Sequence, residues 1–271
     1  MKDPVGTIDV RRLVEVDSTN LEARRWAASA PAGAGAVAIV AERQTAGVGR
    51  FGRRWHSPEG GLWMTLAWPV EGDGRTVLEG LGLRVGVACW RTVGQALRGA
   101  SGSARVQLKW PNDVLIGGEK VCGSLTESVR ESGRLWLIVG VGINVNNDPA
   151  DLPRDLRTPA TSLKRRLGSE VSVEGVLEAL LSELKRAIAW RSEDGDGFFE
   201  GVSAGLRGVG EAVSIAGPDR KERRVVLVGV DGAGRLVVRA EGQGNELEEA
   251  LGPGHDVVWP DRDERVIGSG P

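Results

Sequence analysis

The feature that most limits the fold is a change of pattern near residue 205. Up to about residue 200 the chain alternates helix-period and strand-like segments. After Gly205 it carries only short β-rich pieces, Ala212–Ile215, Arg224–Val230, Arg235–Ala240 and Val257–Trp259, separated by turns such as Asp231-Gly232. An α+β unit followed by a small β-barrel of about 55 residues satisfies both parts. We therefore expect domains at 1–205 and 206–262, with a flexible tail over 263–271.

Within the first part, Thr19 followed by Glu22 predicts a capping box that opens a helix over 19–30, which Pro31 and the Gly33-Ala34-Gly35 stretch then end. The apolar run Ala36–Ala41 predicts a buried strand, and Leu62–Pro69 a second one closed by its proline. A helix over 76–98 follows, in spite of Gly80, Gly82, Gly86 and Gly94. Three successive strands form an antiparallel meander: Val106–Trp110 continuing through Val114–Ile116, then Val121–Val129, then Leu135–Val145. Ser172 introduces a helix over 174–191 whose stripe Val176, Leu177, Leu180, Leu181, Leu184 and Ile188 covers the sheet.

Composition removes several classes of function. Lys+Arg 35 against Asp+Glu 37 gives a net charge of −2, so no overall basic excess is available for nucleic acid or an anionic membrane. The only cysteines are Cys89 and Cys122 and the only histidines His56 and His255, which fits neither a disulfide framework nor a zinc-finger spacing. The first residues lack the apolar core of a signal peptide, and no apolar run approaches the ~20 residues of a membrane helix. A cytoplasmic protein is the expectation.

Four segments are equipped for chemistry. In Gln44-Thr45-Ala46-Gly47-Val48-Gly49-Arg50-Phe51-Gly52-Arg53-Arg54-Trp55 the glycines allow close backbone approach and the arginines supply fixed positive charge for an anion. Gly47, Gly49 and Gly52 also spell G-x-G-x-x-G, but a dinucleotide loop must open a helix and this one leads into a strand. Its plain alternative is a solvated arginine loop. The second segment, Lys109-Trp110-Pro111-Asn112-Asp113, sets a cation, an amide and a carboxylate at a strand end, with Lys120 and Gly123 following; each alone also reads as turn chemistry. In the third, Gly140-Val141-Gly142-Ile143-Asn144, alternate glycines clear one strand face for a flat ligand or make a bend. The fourth, Asp17-Ser18-Thr19-Asn20, holds a helix cap and two spare polar groups.

Taken in order, these segments resemble the biotin–protein ligase family, and with the β-rich end the resemblance covers nearly the whole chain. It implies a class II synthetase-like, biotin–lipoate ligase catalytic domain with a mixed, largely antiparallel sheet and helices, and an SH3-like C-terminal barrel. It also implies a two-step activity with ATP, biotin and Mg2+: biotinyl-5′-AMP is formed, then biotin passes to a lysine of a biotin carboxyl carrier domain such as that of acetyl-CoA carboxylase.

By position in the family motifs, Ser18, Thr19, Asn20, Gln44, Gly47, Val48, Gly49, Arg50, Gly123, Leu125, Val141 and Gly142 would bind biotin. Arg50, Arg53, Trp55, Lys109, Asn112, Asp113, Lys120 and Asn144 would bind ATP or the adenylate. Lys120 and Arg50 would be catalytic, Asp113 would meet the metal, and Asn144 would recognise adenosine. The family often has an arginine where this chain has Val48, which implies weaker retention of the adenylate. The glycine loop is expected to be mobile without ligand and to order over biotin.

Two other readings stand beside this one. A lipoate or octanoate transferase shares the fold, although a long acyl chain needs a deeper apolar tunnel and no ureido-binding donors. A biotin-responsive repressor would carry a helix-turn-helix ahead of the catalytic part, and sixteen residues before Asp17 are too few for one.

Overall fold

The structure is a computed structural model that describes residues 7–72, 74–98, 105–153, 156, 158–191, 197–217, 221–241, 248–251 and 256–258. The tail expected over 263–271, and Trp259 at the end of the last expected strand, lie outside these.

Strand β1 (Asp9–Val16) leads through helix α1 (Thr19–Ser29) to β2 (Val37–Gln44), which pairs with β1 in parallel. Strand β3 (Leu62–Val70) returns antiparallel to β2. Helices α2 (Arg75–Leu78) and α3 (Leu81–Ala96) follow, then the hairpin β4 (Val106–Lys109) and β5 (Asp113–Ile116), then β6 (Glu119–Glu131) and β7 (Arg134–Ile143). These strands form one sheet in the order β1-β2-β3-β7-β6-β5-β4, so β7 closes back on β3. Helices α4 (Leu163–Leu167), α5 (Val173–Ala189) and α6 (Val202–Gly205) precede an antiparallel sheet of β8 (Ala212–Ala216), β9 (Glu222–Val230), β10 (Leu236–Ala240), β11 (Glu248–Leu251) and β12 (Asp256–Val258). Among the described residues no helix is long and apolar enough to cross a membrane.

Strand periodicity sorts the sheet's two faces. Ala23 and Ala27 of α1 pack on Val37, Ile39, Ala67, Trp136 and Ile138, while Leu62, Met64, Leu66, Val139 and Val141 face the layer that contains α3 and α5. Val176, Leu177, Leu180, Leu184 and Ile188 of α5 are buried, each contributing about 1.5–3 kcal/mol. That same core continues without a break into Val213, Ile215, Val225, Leu227 and Leu236 of the second sheet.

Several local expectations need correction. Thr19 is inside α1 rather than capping it: Ser18 is the cap residue without a side-chain bond, and the Glu22 carboxylate accepts from Arg25 instead. The helix expected over 76–98 is two helices, because Gly80 turns left-handed (φ 62°) between them. Pro69 does not close its strand, which runs to Val70 with Pro69 opposite Trp136. The strand expected to continue from Val106 through Ile116 reverses at the cis Trp110-Pro111 peptide, leaving Lys109 opposite Asp113. Strands β1 and β11 and helices α4 and α6 are additional to what the periodicity predicts.

Cys89 and Cys122, distant in sequence, are buried free thiols on α3 and β6. Burial, and then Cys89, pushes the Cys122 thiol up.

Arg84 of α3 is fully buried. Its guanidinium donates to the carbonyls of Ala187 (2.8 Å), Trp190 (3.1 Å), Glu79 (3.0 Å) and Val77, and lies over the Trp190 ring. Burial and the nearby Arg191 push its pKa down to about 10, which still leaves it charged at neutral pH. One side chain thus ties α2, α3 and the end of α5 together. Arg84→Ala should destabilise the protein by about 3 kcal/mol, since it opens a cavity and strands several buried acceptors; urea denaturation monitored by circular dichroism measures it.

Candidate functional site

The face of the sheet that α1 covers is packed only at one end. Toward the amino end of α1, glycines replace side chains: Gly123 of β6 lies opposite Gly142 of β7, and Gly140 lies opposite Thr65 of β3. A Cβ on Gly140 would stand 2.2 Å from Asn20 Oδ1, and one on Gly142 would stand 2.4 Å from Trp55 Nε1. The glycines therefore seat Asn20 and the Trp55 indole as a floor and wall. Around them opens a cleft of about 1340 Å3.

One wall is an amide and hydroxyl network. Gln44 Oε1 accepts from the Thr19 N–H (2.7 Å) and hydroxyl (3.0 Å), while its Nε2 donates to Ser57 Oγ (2.7 Å). The Thr65 hydroxyl, with one proton to donate, lies 2.8 Å from Thr19 Oγ1 and 2.6 Å from Asn20 Oδ1. Every group here is oriented by another. Just outside, the Arg25 guanidinium beside Asp17 holds that carboxyl below the usual carboxylate range.

The glycine and arginine segment folds as a β-hairpin. Trp55 N–H donates to Gly47 C=O (2.8 Å), Gly49 N–H to Arg53 C=O (2.7 Å), and Val48 pairs with Arg54. Gly47 is required by packing, because a Cβ there would meet Trp55 O at 2.5 Å.

The opposite wall explains residues whose separate tasks sequence spacing leaves open. Asn112 Oδ1 accepts from Arg50 (3.0 Å), and Asn112 Nδ2 donates to Ser124 O (2.6 Å), so this amide ties the hairpin to β6. Asp113 Oδ1 lies 2.7 Å from Lys120 Nζ, which also sits 5.0 Å from the centre of the Trp55 ring. Lys120 reaches the cleft because Val114 opposes Cys122 while Leu115 opposes Lys120, a bulge that leaves Val121 extra. Regular alternation would turn Lys120 away from Gly123; instead a Cβ on Gly123 would be 3.0 Å from Lys120 Cε. Backbone bonds from Lys120 N–H to Pro159 O (2.7 Å) and from Thr161 N–H to Lys120 O (2.9 Å) fix it there.

Among the residues expected to bind a ligand, Thr19, Asn20, Gln44, Val48, Gly49, Arg50, Arg53, Trp55, Lys109, Asn112, Asp113, Lys120, Gly123, Leu125, Val141, Gly142 and Asn144 all line this cleft. Ser18, 1% exposed, and Gly47 are not among its lining. The Asn144 carboxamide is already engaged, donating to Thr161 O (3.0 Å) and accepting from Asn147 (3.1 Å), and it braces the turn behind the cleft. Sequence reasoning missed Thr65 and Ser57, which act from behind the wall, and Arg207, which lines it beside Arg54 of the arginine segment. Arg207 comes from the far end of the chain, where its N–H donates to Leu108 O at 2.9 Å. No local pattern marks such residues, since only the tertiary pairing brings them in.

Electrostatically the cleft differs from the chain. Among the described residues, Arg50, Arg53, Arg54, Lys109, Lys120 and Arg207 line it against a single carboxylate, Asp113, although the whole chain carries −2. Three buried polar atoms on its lining residues, Asn20 Nδ2, Trp55 Nε1 and Ser124 Oγ, have no hydrogen-bond partner. Such an arrangement suits an anion at one end and a compact ligand rich in acceptors at the other.

Residues 17–144 match the model of the biotin/lipoate A/B protein ligase family. The biotin–[acetyl-CoA-carboxylase] ligase of Paracoccus denitrificans is 34% identical over 233 residues, which cover 84% of this chain and 92% of that one. The chain belongs to the biotin protein ligase family. The bifunctional ligase/repressor BirA of Bacillus subtilis is 41% identical over 145 residues, or 53% of this chain, and the match spans 43% of that longer relative. The fold superposes with a TM-score of 0.71 on a biotin protein ligase from Aquifex aeolicus in complex with biotin and ATP, at 28% identity, covering 92% of this chain and 98% of that one.

Thr65→Val should cost about 1–2 kcal/mol of stability, because it removes the hydroxyl that joins Thr19 to Asn20 and leaves a buried acceptor unpaired. Equilibrium urea unfolding checks this.

Proposed function

We propose that this chain activates biotin with ATP as biotinyl-5′-AMP and transfers the biotinyl group to a lysine of a biotin carboxyl carrier domain. The observation that carries the reading is the pairing, among the described residues, of six cations with a glycine-cleared floor bearing unpartnered buried polar atoms, in one cleft. In the first step a biotin carboxylate oxygen bonds to the α-phosphorus of ATP as the bond to the β-phosphate oxygen breaks, releasing pyrophosphate. In the second, the acceptor amine bonds to the acyl carbon, AMP leaves, and the amine loses a proton.

Bringing a carboxylate to a triphosphate sets anion against anion, so the site must supply positive charge in fixed positions. Arg50, held by Asn112, bridges carboxylate and phosphate; Lys120, held by Asp113, faces the charge that grows at the α-phosphate. Arg53, Arg54, Lys109 and Arg207 neutralise the rest of the triphosphate. Thr19, Asn20, Gln44 and the glycine-bearing strands hold the biotin ring and tail, and Trp55 lies along it.

Among the described residues no group of three or more His, Cys, Asp or Glu side chains forms a metal site. Asp113 is the one carboxylate lining the cleft among the described residues, which fits a magnesium ion carried in on phosphate oxygens, since that ion commonly takes only one or two protein carboxylates. Such an ion would supply further charge neutralisation at the phosphates. In this reading the residues from 206 onward form the second, β-rich unit, which shares the core of the first and contributes Arg207 and Val257 to the cleft.

Radiolabelled pyrophosphate should exchange into ATP in the presence of biotin and not of octanoate; exchange with octanoate alone makes the chain an acyltransferase instead. Lys120→Ala should lower the exchange rate about 100-fold or more with the fold intact by circular dichroism. Val48→Arg should slow release of the adenylate, and an unchanged dissociation rate removes Val48 from any role in retention.

A further inference from the structure

The tip of the arginine hairpin is built against local preference. Arg50-Phe51-Gly52-Arg53 is a two-residue turn closed by Arg53 N–H donating to Arg50 C=O at 3.3 Å, with Phe51 at φ 59°, ψ 30° and Gly52 at φ 70°. Left-handed values at both central positions define a type I′ turn, whose first place favours asparagine, aspartate or glycine. A phenylalanine there crowds its Cβ against the backbone, a strain that asparagine tolerates and glycine lacks. Core packing does not compensate, because Phe51 is 73% exposed.

What the ring touches is cationic. The Arg50 guanidinium carbon lies 4.9 Å from the ring centre and that of Arg53 lies 5.4 Å from it. Both arginines line the cleft, and like charges at the two ends of one turn repel when no anion lies between them. An aromatic face attracts both guanidiniums at once. We infer that Phe51 is a positioning residue: its exposed ring is a shared platform that holds Arg50 and Arg53 together over the phosphate end of the cleft before ATP arrives. The inference rests on the adenylation reading above and adds to it the part that prepares the charge.

Strain and platform make opposite forecasts, which gives a clean test. Phe51→Asn keeps the turn and loses the ring; Phe51→Tyr keeps both ring and strain. With saturating biotin, pyrophosphate exchange is titrated with ATP, and melting temperatures are recorded beside it. We expect Phe51→Asn to melt at or above the wild-type temperature while its KM for ATP rises about five-fold, with Phe51→Tyr restoring the wild-type value. An unchanged KM for ATP in Phe51→Asn overturns the platform. A joint rise for ATP and biotin with a lower melting temperature also overturns it, in favour of a structural role. An effect confined to the KM for the carrier domain overturns it too and makes Phe51 a docking residue. If the wild-type protein itself shows no biotin-dependent exchange, the adenylation reading fails first, and that outcome is visible in the control alone.

Discussion

Two hydrogen-bonded partnerships hold the cleft in working order: Asn112 with Arg50, and Asp113 with Lys120. The two partners are adjacent, Asn112 ending the turn between β4 and β5 and Asp113 opening β5, and both cations come from elsewhere, one from the hairpin and one from β6. A cation on a flexible stem is a weak electrostatic tool unless its position is fixed before the substrate arrives. The turn fixes both, and because Asn112 Nδ2 also donates to Ser124 O, the turn is itself clamped to the sheet. The tertiary structure can be seen as a means of delivering that turn, the hairpin and β6 to one place.

The sheet contributes by leaving material out. On the face that carries α1, packing is dense where Ala23 and Ala27 meet Ile138 and Trp136, and it gives way to glycine where Asn20 and Trp55 lie. The opposite face is apolar and tied to α3 and α5, with Arg84 holding the helical layer. One face thus carries most of the stability and the other is spared for binding. Function and stability divide along the plane of the sheet.

Much of this was legible in the chain itself. Helices α1 and α5 follow from apolar spacing and boundary residues, and the strands from runs of Val, Ile and Leu. The motif segments converge on one cleft as their family resemblance implies. What escaped has physical causes. Strand β1, an edge strand, has no buried residues and shows no apolar alternation strong enough to mark it. Thr19 and Glu22 have the spacing of a capping box, yet Gln44, twenty-five residues on, takes both Thr19 donors, and no local rule anticipates that. The bulge at Val121 that turns Lys120 into the cleft is likewise invisible in a run of alternating residues.

The parallel pairing of β1 and β2 has a consequence for how the cleft tolerates change. Both strands point the same way and end at the same edge, and their ladder continues past the strand ends, where Thr45 N–H donates to Val16 O (3.0 Å) and Ala46 N–H to Asp17 O (2.8 Å). The two polar segments that follow are therefore held abreast by backbone alone, at the carboxyl ends of parallel strands, where open α/β sheets gather ligands. The connection that returns the chain from α1 to the start of β2 lies at the far end of both strands. Gly33 and Gly35 within it have open space where a side chain would go. Chain length is thus decoupled from site geometry: residues added at that remote connection lengthen the path between the two segments without moving either of them.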